Sequence, residues 1–437
     1  MKWLLRRELA LVLGARATWL CAAIAALLVG HGFVLALDLY SAASRSAGDY
    51  VLMRRELDPL AGIVRPTLGG LYLAAALLLP VIAARGLAIE KERGSYGALA
   101  LRAGGTARLV IAKLVAALAG GALLLGAPLA LCIAFVLAGG HLDAVETIVA
   151  LSGYFLLVTV IAWAAVATAA ACRTVAQATV AALAFSLASW AIDASEGFAA
   201  LAWLDALDWV SLGRKLVPFE RGIVHVGTFA SLAIVALGAA AIAFVLGAID
   251  FRRRRRIAAA AIVACSLALL WLLGGVHRGY DWSEQRRASL PPAVVTALRA
   301  IPQRIEVDVW LDRDDGRRWQ LERDALAKLM LARPDTIVHT PLDDADRLIE
   351  HDARYGRIVI HAGGARETRS TSRRELATLV FEAAGVALPD WVQPEYPGYP
   401  IVIEGASRTL LVALAYVVFP AAFVIIGLVL ARSRRKS

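Results

Sequence analysis

The sequence lacks the short motifs that mark most enzymes and metal sites. It has no GxxxxGK[ST] phosphate loop, no HExxH or GxSxG segment and no paired metal-ligand motif. Its 437 residues include only four cysteines, Cys21, Cys132, Cys172 and Cys265, and none is part of a CxxC pair. These absences argue against a disulfide framework, a zinc site and a membrane enzyme with its own catalytic centre. We therefore expect this chain to have no catalytic residue and to bind no metal or cofactor.

Charge is missing from the middle of the long apolar segments. None of these segments has Asp, Glu, Lys or Arg near its centre, which argues against a proton relay or an ion-coupled carrier. What is present is strongly apolar, because hydrophobic residues make up 59% of the chain and the mean hydropathy is +0.65. This composition predicts a helical membrane protein with several spans.

Eight apolar segments are long enough to cross a hydrocarbon core of about 30 Å at a rise of ~1.5 Å per residue. They are Ala17–Leu37, Pro66–Ala84, Leu114–Gly139, Ile148–Cys172, Val175–Ile192, Val226–Ile249, Ile257–Val276 and Thr409–Ala431. The sequence thus predicts an α-helical polytopic membrane protein with about eight transmembrane helices. One long polar stretch, residues 277–408, separates the last two segments and is predicted to be an inserted α/β extracytoplasmic domain.

Lysine and arginine are distributed unevenly between the two sides of these segments. With the N-terminus inside, the inner segments hold 20 basic residues and the short outer loops hold seven. This bias predicts cytoplasmic termini in a cell inner (plasma) membrane, with residues 277–408 periplasmic or extracellular. The strongest indication of topology is one basic run, made of Arg252, Arg253, Arg254, Arg255 and Arg256. Since the net charge of +10 is mostly topogenic, we expect contact with the lipid bilayer and no nucleic-acid partner.

Two segments beside the spans are more than plain loops. Residues 1–16 form either a basic amphipathic helix at the membrane interface or a positive flank that holds the first span inside. The stretch Asp193–His225 contains Trp203, Trp209 and Phe219 among apolar and acidic residues. It is too apolar for a free loop, so we expect interfacial or partly re-entrant helices there, or a short surface helix with aromatic anchors.

The polar stretch 277–408 alternates strand and helix patterns. Arg304–Leu311 has the strand period, Thr336–Thr340 and Arg357–His361 are further predicted strands, and a helix is expected near Asp343–His351. The segment 366–374 is basic and rich in hydroxyl groups. It is interpreted either as an anion site at a helix N-terminus or as a solvated hairpin followed by a helix that starts with a capping box from Ser372 to Glu375.

A polar loop, Arg85–Lys113, joins the second and third apolar segments. Its charged centre consists of Glu90, Lys91, Glu92, Arg93, Gly94 and Ser95, and the loop ends in an Ala-Lys pair at the start of the third span. This pattern resembles the "E-x-E-x-G-T" segment of the ABC-2 class of ABC transporter permeases, with serine in place of the commoner threonine. The resemblance covers residues 1–256 and implies a six-helix permease domain.

Residues 280–385 are similar to the extracytoplasmic domain of GldG-like proteins, the gliding-motility auxiliary subunits of such transporters. The similarity lies in Ser289–Pro292, in the strand IEVDVWL and in a closing hairpin with its helix. The resemblance implies a permease domain at 1–256, a seventh helix at 257–276, a GldG-like domain at 277–408, and an eighth helix with a basic tail at 409–437.

Together the resemblances imply the transmembrane permease subunit of an ABC-2-type transporter, expected to be an exporter. A separate ABC ATPase subunit would bind ATP and dock at an ATPase-coupling loop made of Glu90, Glu92, Arg93, Gly94 and Ser95, and a second permease copy or a related permease would complete the pathway. The alternative is a non-transporting envelope or gliding-type machine component that passes ATPase-driven motion to a periplasmic partner. A solvated loop whose charges only fix the topology also remains open.

Overall fold

The fold is that of a computed structural model, which describes residues 1–48, 50–194, 207, 209–248, 252–273, 276, 278–312, 315–341, 354–392 and 396–433. Long helices dominate the chain up to residue 273 and again after residue 404. The helices in these two parts are α1 (Lys2–Leu13), α2 (Arg16–Ala47), α3 (Val51–Arg55), α4 (Arg65–Glu92), α5 (Tyr96–Arg102), α6 (Thr106–Leu124), α7 (Gly126–Leu137), α8 (Ala144–Ala171), α9 (Val175–Ala194), α10 (Val226–Gly247), α11 (Arg252–Leu273), α16 (Gly405–Ala413) and α17 (Phe419–Ser433). Short π-helical turns precede α4, at Leu60–Val64, and join α16 to α17, at Leu414–Val418.

Eight helical stretches in the described residues are long and apolar enough to cross a membrane. They are Arg16–Ala47, Leu60–Glu92, Thr106–Leu137, Ala144–Ala171, Val175–Asp193, Val226–Gly247, Arg253–Leu273 and Gly405–Arg432. Each overlaps one predicted segment, which agrees with a helical membrane protein of several spans, and the number of spans stays a prediction. Several of these helices extend by a turn or more beyond the apolar segments, because hydropathy does not detect the polar ends of a helix.

Small side chains let the membrane helices pack closely. Alanine is the commonest residue in the buried core of this region, and Leu, Val, Ile and a few aromatic residues fill much of the remaining space. At Gly121 of α6, an added Cβ would lie 2.4 Å from a methyl group of Val158 on α8. At Gly30 of α2 it would lie 2.7 Å from the carbonyl oxygen of Ala415, so the eighth candidate span packs directly on the first.

The chain before α10 folds into the helical core. Leu212, Leu216 and Phe219 are buried there, and the Phe219 ring packs against Gly153 of α8. This burial agrees with the expectation that the stretch is not a free loop, but its described part forms turns and a 3-10 turn, Phe219–Arg221, rather than longer helices. Residues 195–206 of the predicted segment lie outside the described residues.

The inserted domain has its own core around a four-stranded mixed sheet. Its strands are β3 (Glu306–Val309), β4 (Ile337–His339), β5 (Ile358–His361) and β6 (Ala365–Thr368), and its helices are α12 (Pro292–Ala300), α13 (Gly316–Leu321), α14 (Ala327–Ala332) and α15 (Arg373–Ala384). The strand order is β4-β3-β5-β6, with β3 parallel to β4 and the other two pairs antiparallel. The three predicted strands are confirmed, and the predicted helix near Asp343–His351 lies outside the described residues.

The predicted capping box at the start of α15 does not form. Ser372 is the N-cap residue, as expected, but its side chain makes no capping hydrogen bond. The Glu375 carboxylate instead accepts a hydrogen bond from the Thr368 hydroxyl at 2.5 Å. Glu375 therefore bonds to Thr368 on the adjacent strand β6, whereas the capping-box pattern predicts a bond to Ser372.

A ribbon and an ion-pair cluster fasten the domain to the membrane helices. Strand β1 (Ile223–His225) precedes α10 and pairs antiparallel with β2 (Gly279–Asp281), which opens the domain. Arg287 Nη2 lies 2.8 Å from Asp58 Oδ1 and 2.6 Å from Glu146 Oε1. We call these three residues the Arg287 cluster. Burial raises the pKa of Asp58, and the Arg287 charge opposes that rise.

Candidate functional site

The predicted coupling loop is mostly helical. Helix α4 continues through Glu92, a turn with Gly94 at φ +70° follows, and α5 then leads through a second glycine turn into α6. The amide of Ser95 donates to the carbonyl of Glu90 at 2.9 Å and closes the first turn. Left-handed backbone at Gly94 suits glycine, since a Cβ is disfavoured there. The loop is therefore a short helix held between two long ones. We call this end of the helical bundle the α1 face and the opposite end, which carries the inserted domain, the domain face.

Glu90 faces inward and belongs to a buried set of ion pairs with Arg7, Glu8 and Lys113, which we call the α1 cluster. Lys113 Nζ lies 2.9 Å from Glu90 Oε1 and 2.6 Å from Glu8 Oε2. Arg7 Nη2 lies 3.0 Å from Glu90 Oε1, and Arg7 also pairs with Glu8. The side chains of Glu8, Lys113 and Glu90 are only 1%, 3% and 6% exposed. These two cations and two anions join α1, α4 and α6.

The α1 cluster explains the fold of the N-terminal segment. Leu4, Glu8 and Val12 are buried on α1, four residues apart, and form one face of the helix. Leu4 packs with Leu109 and other small or apolar residues of α5 and α6. Residues 2–13 are therefore a helix that packs against α5 and α6. The helix agrees with the amphipathic pattern, and its place at the membrane interface stays a prediction.

Lys91 and Glu92 hold the tight connection between α8 and α9. The Lys91 ammonium donates to carbonyl oxygens at the end of α8, at 2.5 Å from Ala170 and 2.8 Å from Cys172. Glu92 Oε2 accepts from the amide of Val175, which begins α9, at 3.1 Å. A cation at a helix C-terminus and an anion at a helix N-terminus are both favoured by the helix dipole. The two side chains thus tie α4 to two further membrane helices.

The loop is also tied to α10 through Tyr96, whose hydroxyl donates to the carbonyl of Gly247 at 2.6 Å. Burial, with the Glu90 charge as a second cause, raises the pKa of Tyr96 to about 12. The predicted topology arginines lie next to this contact. Within that run, Arg255 donates from Nη1 to the carbonyls of Leu246 and Ala248, and so caps the end of α10.

The solvent-facing side of the loop is small and basic. Arg93, Gly94 and Ser95 are exposed, and Leu101 is 82% exposed although it is apolar. The Arg102 guanidinium lies 5.3 Å from the centre of the Trp3 ring, so α1 extends the same surface. Four of the five predicted coupling residues, Glu92, Arg93, Gly94 and Ser95, are therefore exposed, although Glu92 also accepts from Val175. Glu90 is buried, and the role of all five in docking stays a prediction.

The sequence pattern finds the loop but not the partners of its charges. The sequence indicates only a basic flank around Arg7 and Glu8 and a loop boundary at Lys113. The four-residue period on α1 is the one local signal that Glu8 is buried. No group of three or more His, Cys, Asp or Glu side chains suited to a metal ion occurs in the described residues.

Comparison with protein-family models, with curated proteins and with solved structures gave no match.

Proposed function

We propose that this chain is the transmembrane permease subunit of an ABC-2-type transporter, working as an exporter and driven by a separate ATPase. The motor subunit binds ATP and docks on the exposed side of the loop, at Arg93, Gly94, Ser95 and Leu101. A second permease copy, or a related permease, completes the pathway. In this proposal the α1 face is cytoplasmic, the chain lies in the inner membrane, and the domain face is periplasmic.

The observation that carries the proposal is how the exposed loop surface is tied to the membrane helices. Side chains that flank the surface bind to α8 and α9 through Lys91 and Glu92, to α10 through Tyr96, and to α1 and α6 through Glu90. A displacement of α5 by a docked subunit therefore reaches several spans as a rigid-body movement. A solvated loop that only fixes topology does not require such contacts.

The test removes the docking surface without touching these internal contacts. The chain is purified from its native membrane in mild detergent, and ATP hydrolysis is measured in the fraction that contains it. We expect a stoichiometric ATPase subunit to co-elute, and Leu101→Asp to reduce the co-eluting activity by at least tenfold. Leu137→Asp is the matched control, because Leu137 is 83% exposed at the far end of α7.

Two results would count against this proposal. If no ATPase co-purifies with the unaltered chain, neither a motor-driven transporter nor a motor-driven machine component is supported. If Leu101→Asp and Leu137→Asp lower the co-eluting activity equally, the motor docks elsewhere.

A second candidate function is a non-transporting machine component that passes ATPase-driven motion to a periplasmic partner. The attachment of the inserted domain to the spans favours it, because the Arg287 cluster and the β1–β2 pairing give motion a path into that domain. The two candidates differ in reconstituted vesicles. ATP hydrolysis that a transported substrate stimulates supports the exporter, and ATP hydrolysis that responds only to a protein bound to the domain supports the machine component.

A further inference from the structure

A charged cavity of about 730 Å³ lies between the inserted domain and the membrane helices on the domain face. Arg55, Arg65 and Arg221 line it from the membrane-helix side. From the domain side it is lined by Lys328 and by the segment 370–373, which leads into α15. The volume is within the range of small-molecule sites, roughly 300–1,000 Å³. Neither the coupling loop nor its attachments reach this cavity.

Most carboxylates in the cavity wall are already paired with cations. Glu220 Oε2 forms an ion pair with Arg65 Nε at 2.8 Å, and Asp324 Oδ1 forms one with Lys328 Nζ at 2.5 Å. Asp58 and Glu146, which also line the cavity, share Arg287. Arg373 faces the same cavity from the start of α15. A ligand therefore meets a wall whose negative charge is largely neutralised.

The domain side of the cavity offers several donors within a short stretch of chain. The three hydroxyl residues Ser370, Thr371 and Ser372 line it directly before α15. Because the Ser372 side chain makes no capping hydrogen bond, the first amides of the 12-residue helix lack this cap. These amides, together with the positive end of the helix dipole, favour an anion at this place.

Like charges also converge at the buried Lys328. Its side chain is about one-tenth exposed. Burial lowers the pKa of Lys328, the Asp324 carboxylate opposes this, and the charges of Arg373 and Arg221 lower the pKa further. Arg221 comes from the membrane side and Arg373 from the domain. Asp324 partly offsets the repulsion between these cations, and a bound anion would offset it further.

We propose that this cavity binds a phosphate group between the start of α15 and the membrane helices. Arg373 from the domain and Arg221 from the membrane side supply positive charge, and the hydroxyl groups and amides of residues 370–373 supply hydrogen-bond donors. Because the cavity lies beside the ends of the second and fourth candidate spans, at Arg65 and Glu146, two sources present this chemistry. They are the headgroup of a phospholipid and a water-soluble phosphate compound.

The test compares two adjacent arginines in the full-length chain, which is purified in detergent and freed of bound lipid. Binding of added phosphatidylglycerol is measured by native mass spectrometry, and binding of radiolabelled inorganic phosphate by equilibrium dialysis. We expect saturable binding of at least one probe at one site per chain. Arg373→Gln should weaken it by about tenfold or more, because a charge-assisted hydrogen bond is lost. Arg374→Gln is the control, since Arg374 is exposed and does not line the cavity.

Binding of inorganic phosphate indicates a soluble compound, binding of the lipid alone indicates a headgroup, and both support a phosphate site. The proposal is overturned if neither probe binds saturably, or if Arg373→Gln and Arg374→Gln have equal effects. Arg221→Gln tests the opposite wall, and unchanged binding in that variant would also overturn it. Thermal melting of each variant separates loss of the site from loss of the fold.

Discussion

Replacing Lys113 by methionine tests whether the α1 cluster holds the α1 face together. The ammonium lies 2.6 Å and 2.9 Å from two carboxylate oxygens, on Glu8 and Glu90, and is 3% exposed. At an effective dielectric constant of about 20, each contact represents roughly 6 kcal/mol of gross attraction, most of which offsets the desolvation of the ions. Lys113→Met leaves two buried carboxylates beside one guanidinium. We expect the free energy of unfolding to fall by about 3–5 kcal/mol, as when one partner of a buried pair is removed.

A second substitution distinguishes charge balance from packing. In the double variant Lys113→Met with Glu90→Gln, one cation and one anion are lost, and the pair of Arg7 and Glu8 stays balanced. The double variant should therefore be more stable than the sum of the two single effects predicts, by about 2 kcal/mol. Arg93→Met is the control, because it removes an exposed cation from the same face and should change the free energy of unfolding by less than ~0.5 kcal/mol.

The assay is thermal melting of the purified chain in detergent, followed by size-exclusion chromatography. A loss of about 3–5 kcal/mol corresponds to a drop of roughly 3–5 °C in the melting midpoint for a chain of this size. Where melting is irreversible, the rate of inactivation at one temperature replaces the midpoint. A Lys113→Met variant that melts within ~2 °C of the unaltered chain, or strict additivity in the double variant, would refute the reasoning.

Three further predictions follow from other parts of the fold. Gly153→Ala places a Cβ 2.6 Å from a ring carbon of Phe219 and should lower the free energy of unfolding by about 1–3 kcal/mol, measured by melting. Gly69→Ala is the control and should not destabilise the bundle, because an added Cβ there has nothing within 4 Å. Hydrogen bonds from the Arg317 side chain lower the pKa of Asp315 to about 2. The stability that this pair contributes above pH ~4 should therefore be lost as the pH falls towards 2. Asp315→Asn should remove that pH dependence of the melting midpoint, and an unchanged profile contradicts the assignment. In a cysteine-free background, Val386→Cys should react with an impermeant maleimide in intact cells and Leu101→Cys only after lysis; the reverse pattern inverts the proposed topology.

The membrane helices could be predicted from sequence because burial in lipid demands long apolar runs, and such runs are visible locally. The start of α15 at Ser372 and the strand β5 followed equally local patterns. The capping box failed for a non-local reason, because the Thr368 hydroxyl on the adjacent strand reaches Glu375. A pattern of four residues does not include such a competitor.

The roles of the loop charges could not be predicted for a related reason. Glu90 lies 83 residues from Arg7 in sequence, and neither residue type indicates which partner it meets. The same holds for the pairing of β1 with β2, which joins two short segments on either side of two spans. The sequence therefore predicts where the candidate coupling loop lies, whereas the direction each carboxylate faces depends on tertiary packing.

The helical stretch Leu60–Glu92 has a consequence for how the two faces of the bundle are connected. At ~1.5 Å per residue, its 33 residues extend about 50 Å, roughly 20 Å more than an average hydrocarbon core. Asp58 of the Arg287 cluster lies just before one end, and Glu90 of the α1 cluster lies near the other. The apolar part, Pro66–Ala84, matches the hydrocarbon core, so the excess length carries both charged clusters beyond it at the two ends. One continuous helix therefore links the two faces of the bundle, and a displacement of the candidate coupling loop reaches the Arg287 cluster without passing through a long flexible loop.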